Sequence, residues 1–348
     1  MLTERIEAKW IELFADVFRM CAVQRDGAVA ILAESQSRPI LIELADLAAQ
    51  RIGARPFRLV VPTPALATTI PVRSTGASIA LQSHSPVLAA LKASPFVVDL
   101  TVEGLLHAAE LGAILAAGTR VLMVSDEHPE ILERTRPDAA LEPKVRAGMR
   151  QLRSAHTMQV TSPAGTDLTI ALSGARVGGG WGFTAKPGTI AHWPGGLCLA
   201  FPAQRSVNGT LVLQPGDANL TFKEYLRDPV RLSIVDDYVT AIEGSGVDAD
   251  LMRGYIASWG ERDAYAVSHV GWGMNRAARW DALSFYDKRD CNGTELRAFA
   301  GNFLFSTGAN EVAGRHTLGH FDLPLRGCTI ALDGHVVVRD GTLQGELA

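Results

Sequence analysis

His320 and Asp322 stand two residues apart in TLGHFDLPLRGC (317–328), among Leu318, Phe321, Leu323 and Leu325. So apolar a run reads as a strand, and residues i and i+2 of a strand project from one face. The imidazole and the carboxylate then point the same way, with Phe321 on the other face. Such a pair can hold a metal ion or hydrogen-bond within itself, and the spacing alone does not choose. A metal needs further donors. AVSHVGWG (266–273) offers the best one: His269 follows an apolar strand and precedes a Gly-rich turn, so its ring can face a cavity while the backbone bends away. Two imidazoles and one carboxylate on one face of an ion make the facial triad of non-haem Fe(II) oxygenases, with coordination positions left open. Zinc hydrolases use the same ligand types. Both chemistries stay open on these residues.

Other side chains could serve the same site. His107 follows the strand PFVVDL (95–100) at the start of a helix. Ligands of open parallel sheets bind beyond the carboxyl ends of the strands, so His107 could reach a site between two domains and exchange protons near neutral pH. GARVGGGWGF (174–183) lacks a phosphate-loop pattern and reads as a flexible loop. With HWPGG (192–196) it brings Trp181, His192 and Trp193 together, either to cover a pocket for a flat ring or to pack at a domain surface. GNFLFSTGAN (301–310) ends a strand with Ser306, Thr307 and Gly308, which could line a site or simply turn. His84, His128 and His335 fall in polar turns and read as solvated; His156 sits in a junction without an assigned role.

These groups need a scaffold. Residues 1–145 alternate apolar runs with helical patterns: strands at 28–34, 57–64, 95–100 and 120–126, with helices over 37–53, 85–94 and 104–118. Gly53 stops the first of these helices, and Ser85 with Pro86 starts the second. That order predicts a Rossmann-like α/β domain with a parallel sheet. No GxGxxG follows its first strand, so no dinucleotide is inferred. A charged helix over 138–155 leads into the second half. There, short strands with Gly, Asp and Pro turns and a helix over 248–260 predict a mostly antiparallel α+β domain, residues 146–348, that carries the metal site.

The bulk composition narrows the function. A 348-residue chain that is 47% hydrophobic and 20% charged can bury two cores. Its net charge of −4 and lack of a basic block argue against nucleic acid or an anionic membrane as partner. The first twenty residues are amphipathic, with Ile6, Trp10, Leu13, Phe14 and Val17 near helical spacing, and do not read as a signal peptide. No apolar run is long enough to span a bilayer. Cys21, Cys198, Cys291 and Cys328 lie far apart, which suits a reducing cytoplasm and speaks against structural zinc.

SHVGWG, GNFLFSTGANEVAG and GHFDLPLRGCTIALD, in that order, closely resemble the 2,5-dihydroxypyridine 5,6-dioxygenases of bacterial nicotinate breakdown, as do VVDL…LLH and HWPGG…GTLVL. The likeness covers most of the chain and is strongest over 265–335. It implies a mononuclear Fe(II) enzyme that opens a hydroxypyridine ring with O2 to give N-formylmaleamate, with a fold similar to metallo-aminopeptidases. It implies iron ligands at His269, His320 and Asp322, an acid–base role for His107 and a second pocket histidine at His192. Leu106, Trp181 and Trp193 are then placed to hold the ring plane, with Ser306 lining the pocket. A homo-oligomer is also implied. The pattern breaks at Gly179 and Gly180, where relatives carry a glutamate. In the aminopeptidases that glutamate helps hold two metals, which need bridging carboxylates. Its replacement by glycine weakens a peptidase reading and leaves the ring substituents open.

Overall fold

The computed structural model describes residues 5–65 and 78–348. Five parallel strands form one sheet, in the order Arg55–Val61, Ala28–Glu34, Phe96–Leu100, Arg120–Val124 and Ile190–Trp193. Along Ala28–Glu34, Val29 and Ile31 enter a core with Phe14, Phe18 and Leu44, while Ala30 and Leu32 enter another with Leu91, Leu105 and Ile114. A strand covered on both faces needs no polar alternation, which is why AVAILA (28–33) is continuously apolar. Each large aliphatic side chain buried this way contributes roughly 1.5–3 kcal/mol. The expected parallel sheet with helices is present. Its fifth strand, however, comes from beyond residue 145, the expected end of the first domain: Ile190–Trp193 pairs in register with Val121–Val124. Strand pairing depends on edge complementarity, not on position in the chain.

Two antiparallel sheets make up most of the second half. One has eight strands, in the order 238–243, 230–235, 207–213, 167–171, 157–161, 329–332, 335–339 and 342–343. The other has five: Phe321–Leu325, Phe303–Thr307, Val267–Gly273, Leu197–Phe201 and Arg176–Gly180. A shared core holds Met158, Leu168 and Leu211 with Val270, Phe305 and Phe321, closed by Leu152 and Met252 from helices Leu141–Ser154 and Val247–Ser258.

Three local readings are corrected. The helix expected over 104–118 is confined to Leu111–Ala116, and His107 lies in the turns before it. Buried Asp99, at the end of its strand, accepts hydrogen bonds from the backbone N–H of Thr101 (3.0 Å) and Leu105 (2.7 Å) and holds this stretch in a turn. GARVGGGWGF is not a flexible loop: Arg176–Gly180 is an ordered strand paired with Leu197–Phe201. The cap of helix Ser85–Ala93 is His84, one residue before the expected Ser85.

Candidate active site

Three adjacent strands of the five-stranded sheet build the site. Ser306 and Asp322 are direct cross-strand partners, so they share a face. On the other side of Ser306, the pairing of Val267 with Thr307 jumps to Val270 with Phe305. Ser268 and His269 together therefore oppose Ser306, which is a β-bulge, and bulges re-aim side chains. His269 is thus in a bulged strand. The expected Gly-rich turn after it is absent, because Gly271 and Gly273 continue the strand. Glycine is required there by close packing: a Cβ on Gly271 would lie 2.0 Å from the Cys198 carbonyl oxygen. His320 immediately precedes strand Phe321–Leu325. A Cβ on Gly308 would lie 2.3 Å from the Gly319 carbonyl oxygen, so this glycine lets the two chains meet beside His320.

Ligand atoms of His269, His320 and Asp322 all lie within 4.8 Å of one another. Asp322 is buried, with His320 Nε2 at 3.2 Å from Oδ2 and His269 Nε2 at 3.8 Å from Oδ1. Ser306 Oγ donates to Oδ1 and Arg297 Nε to Oδ2. Burial pushes the Asp322 carboxyl up, but Arg297 and the two histidines outweigh it and hold the group well below the usual carboxylate range. Burial pushes His269 down to about 4, against the opposing pull of Asp322. The arrangement therefore offers neutral imidazole and ionised carboxylate.

His107 closes the site from the parallel-sheet side. Its ring centroid lies 6.4 Å from that of His269, nearly parallel at 7°, and 6.4 Å from that of His320. Burial, helped by those neighbours, pushes it down to about 3. His192 lines the same pocket, and its Nδ1 lies 3.1 Å from the Pro194 carbonyl oxygen. A carbonyl can only accept, so Nδ1 donates and Nε2 is left as an acceptor. Burial and Arg297 push His192 down to about 4. Leu106, 38% exposed, also lines the pocket, whose apolar wall is Leu199, Phe201 and Leu304.

Three expected pocket residues lie elsewhere. Trp193 is fully buried in the first core, 4.9 Å from the Phe14 ring, with Nε1 donating to the Thr135 carbonyl. Strand alternation explains this: His192 and Trp193 leave opposite faces. Trp181 packs under the Arg146 guanidinium, 4.6 Å away, and against Phe183, outside the pocket lining. Ser306 is fully buried beneath Asp322 and orients that carboxylate. His128, read as solvated, caps helix Pro129–Arg134 through Nδ1 and packs on Trp10 and Tyr286.

Sequence reasoning missed Arg297, Phe201 and Leu199. Arg297 is brought by the short helix Thr294–Ala298, which the other half of the chain pins in place. Glu127, just past strand Arg120–Val124, accepts from the backbone N–H of Asn292 (2.7 Å) and Thr294 (2.8 Å). Arg134 makes a bidentate pair with buried Glu295 at 2.9 and 2.8 Å. An arginine inside the apolar stretch ELRAFAGNF was the available signal.

The sequence model of the 2,5-dihydroxypyridine 5,6-dioxygenases, NicX, matches residues 9–345. The chain belongs to this family. Among curated proteins, the 2,5-dihydroxypyridine 5,6-dioxygenase of Pseudomonas putida KT2440 is 36% identical over 338 residues, which cover 96% of this chain and 95% of that one. A solved structure of the 2,5-dihydroxypyridine dioxygenase from the same strain superposes with a TM-score of 0.93 at 34% identity, covering 99% of this chain and all of that one. AmpT from Thermus thermophilus shares the fold, with a TM-score of 0.63 at 15% identity over 97% of this chain and 99% of its own. Family membership makes the chain an oxygenase. Among the described residues, no helix is long and apolar enough to cross a membrane.

Proposed function

We propose that the chain is an Fe(II)-dependent ring-opening dioxygenase that acts on 2,5-dihydroxypyridine or a close hydroxypyridine. Both atoms of O2 enter the product, N-formylmaleamate. The observation that carries this reading is the convergence of His269, His320 and Asp322 in one pocket of a chain from a dioxygenase family. The donor set fits: two imidazoles, of which His269 is kept neutral, and one carboxylate kept ionised suit a divalent iron with open positions. Iron held by these three residues would supply a common meeting point for ring and O2 and a path for electrons between them.

The remaining work falls to the chain. Neutral His107, facing both ligand histidines, takes the proton of the ring hydroxyl and returns it later. His192 Nε2 accepts from an N–H or O–H of the ring. Leu106, Leu199 and Phe201 press on the ring and keep water out. Holding the reactants together removes the entropic cost of their encounter. The four cysteines are unpaired and buried, which supports a cytoplasmic setting.

A peptidase reading has less support. AmpT shares the fold, but among the described residues the metal-capable group contains one carboxylate, too few to bridge two ions. The test is anaerobic loading with Fe(II), addition of 2,5-dihydroxypyridine, then admission of O2. Stoichiometric oxygen uptake with loss of the ring's ultraviolet band, both abolished in His320→Ala, is expected. No uptake together with two bound zinc ions would transfer the assignment to the peptidase.

A further inference from the structure

The pocket wall built by strand Arg176–Gly180 carries almost no side chain. Cross-strand partners share a face, and Gly178 pairs with Leu199 and Gly180 with Leu197. All four line the pocket. Gly179 faces the other way, where a Cβ would meet Val145 at 2.7 Å and Met149 at 2.8 Å. Packing thus explains Gly179, but it does not explain its neighbours. A Cβ on Gly180 would meet nothing within 4 Å, and one on Gly178 would meet only the Phe201 ring, at 3.9 Å. Neither residue has a positive φ. Backbone conformation therefore does not demand glycine at either position, and the space above them is open.

That space is bordered mainly by apolar side chains, with the Arg176 guanidinium, from the same strand face, 4.8 Å from the Phe201 ring at its edge. Leu197, Leu199, Phe201 and Leu304 form one hydrophobic cluster beside it. In the sheet, Arg176–Gly180 is two strands from Val267–Gly273, which carries His269. At the usual strand spacing this is about 10 Å, and Gly180 lies in line with Leu197 and Gly273, four residues along the strand from His269.

We propose that the recess over Gly178 and Gly180 is a specificity pocket, and that the preferred substrate is a 2,5-dihydroxypyridine carrying an apolar alkyl substituent at ring carbon 3 or 4. The proposal rests on the ring-opening reading above. Filling the recess buries the alkyl group against Leu197 and Leu199, and apolar pockets discriminate by roughly ten- to two-hundredfold per methylene in favourable cases. The cleaved bond, between carbons 5 and 6, is left clear of the substituent.

The experiment compares 2,5-dihydroxypyridine with the better bound of its 3-propyl and 4-propyl derivatives. It measures kcat/KM on the Fe(II)-loaded protein, and anaerobic dissociation constants by calorimetry on the metal-free protein. The wild type is expected to favour the propyl compound by about tenfold or more in both measures. Gly180→Leu, which fills the recess, is expected to cancel that preference and to keep kcat/KM for the unsubstituted ring within about threefold. Gly178→Ala, a smaller intrusion, should lie between the two, and unchanged melting temperatures confirm intact folds. Turnover of both compounds without a propyl preference overturns the recess and leaves the dioxygenase standing. Tighter binding of the propyl compound that Gly180→Leu removes, with no turnover of either, keeps the recess and overturns the reaction. Equal losses on both compounds in Gly180→Leu also overturn the proposal.

Discussion

Asp322 is where the charges of the site meet: two imidazoles, one guanidinium and one hydroxyl converge on its carboxylate. Asp322→Ala is expected to leave less than about a tenth of the wild-type iron after anaerobic loading, since a charged donor is lost, as metal analysis would show. His107→Ala should retain its iron and lose about a hundredfold in turnover, the scale of one acid–base group. Iron missing from that variant would refute the division of roles. Arg297 acts through Asp322. Its loss leaves burial to raise the Asp322 carboxyl toward protonation, and protons compete with metal for the same oxygens. In Arg297→Leu, the pH of half-maximal iron binding should move up by about one unit or more, measured as iron retained across a pH series.

At the scale of elements, the site hangs on a bulge, a short helix and a glycine strand. Helix Thr294–Ala298 is anchored across the two halves by Glu127, which is fully buried. Glu127→Ala leaves two N–H groups without their acceptor, a cost of about 2–6 kcal/mol at roughly 1–3 kcal/mol per orphaned group. Glu127→Gln keeps one oxygen and should cost about half as much; urea unfolding would rank them. The glycine strand gives a paired test. Gly179→Ala drives a methyl into Val145 and should cost about 1–3 kcal/mol as overpacking. Gly180→Ala meets open space and should stay within about 0.5 kcal/mol. Equal melting temperatures for the two variants would contradict the packing assigned to this strand.

For the whole molecule, stability and pH are linked through the buried histidines. His107, His192 and His269 have folded-state pKa values of about 3, 4 and 4, below the ordinary 6.5. Between those values and 6.5 the unfolded chain binds more protons, so unfolding free energy rises with pH. The metal-free protein should therefore lose stability steadily as pH falls from 7 toward 4. The depressed Asp322 carboxyl adds a loss of the same sign lower down, as it protonates. Denaturant midpoints at pH 7, 6 and 5 would show the trend, and His107→Phe should flatten its slope. A midpoint independent of pH in this range would mean that these rings are hydrated and titrate freely.

Legibility followed how local each signal was. The pairing of His320 with Asp322 could be read because period-two alternation is a property of the chain itself, and the strands of both halves were readable for the same reason. Arg297, the bulge at Ser268 and His269, and the inclusion of Ile190–Trp193 in the parallel sheet were not readable. Each depends on which distant segment lies alongside, and register between segments leaves no mark on either one alone. Trp193 shows the limit from the other side: its neighbour His192 faces the pocket, and one step along the strand turned the tryptophan into the core. Residue types and spacing pointed to the three donors that converge and left their chemistry open. Where the glycines of 178–180 would matter, as a flexible loop or as the bare wall of a pocket, was decided by a partner strand and a helix more than fifteen and twenty-five residues away in the chain, through hydrogen-bond pairing and close packing.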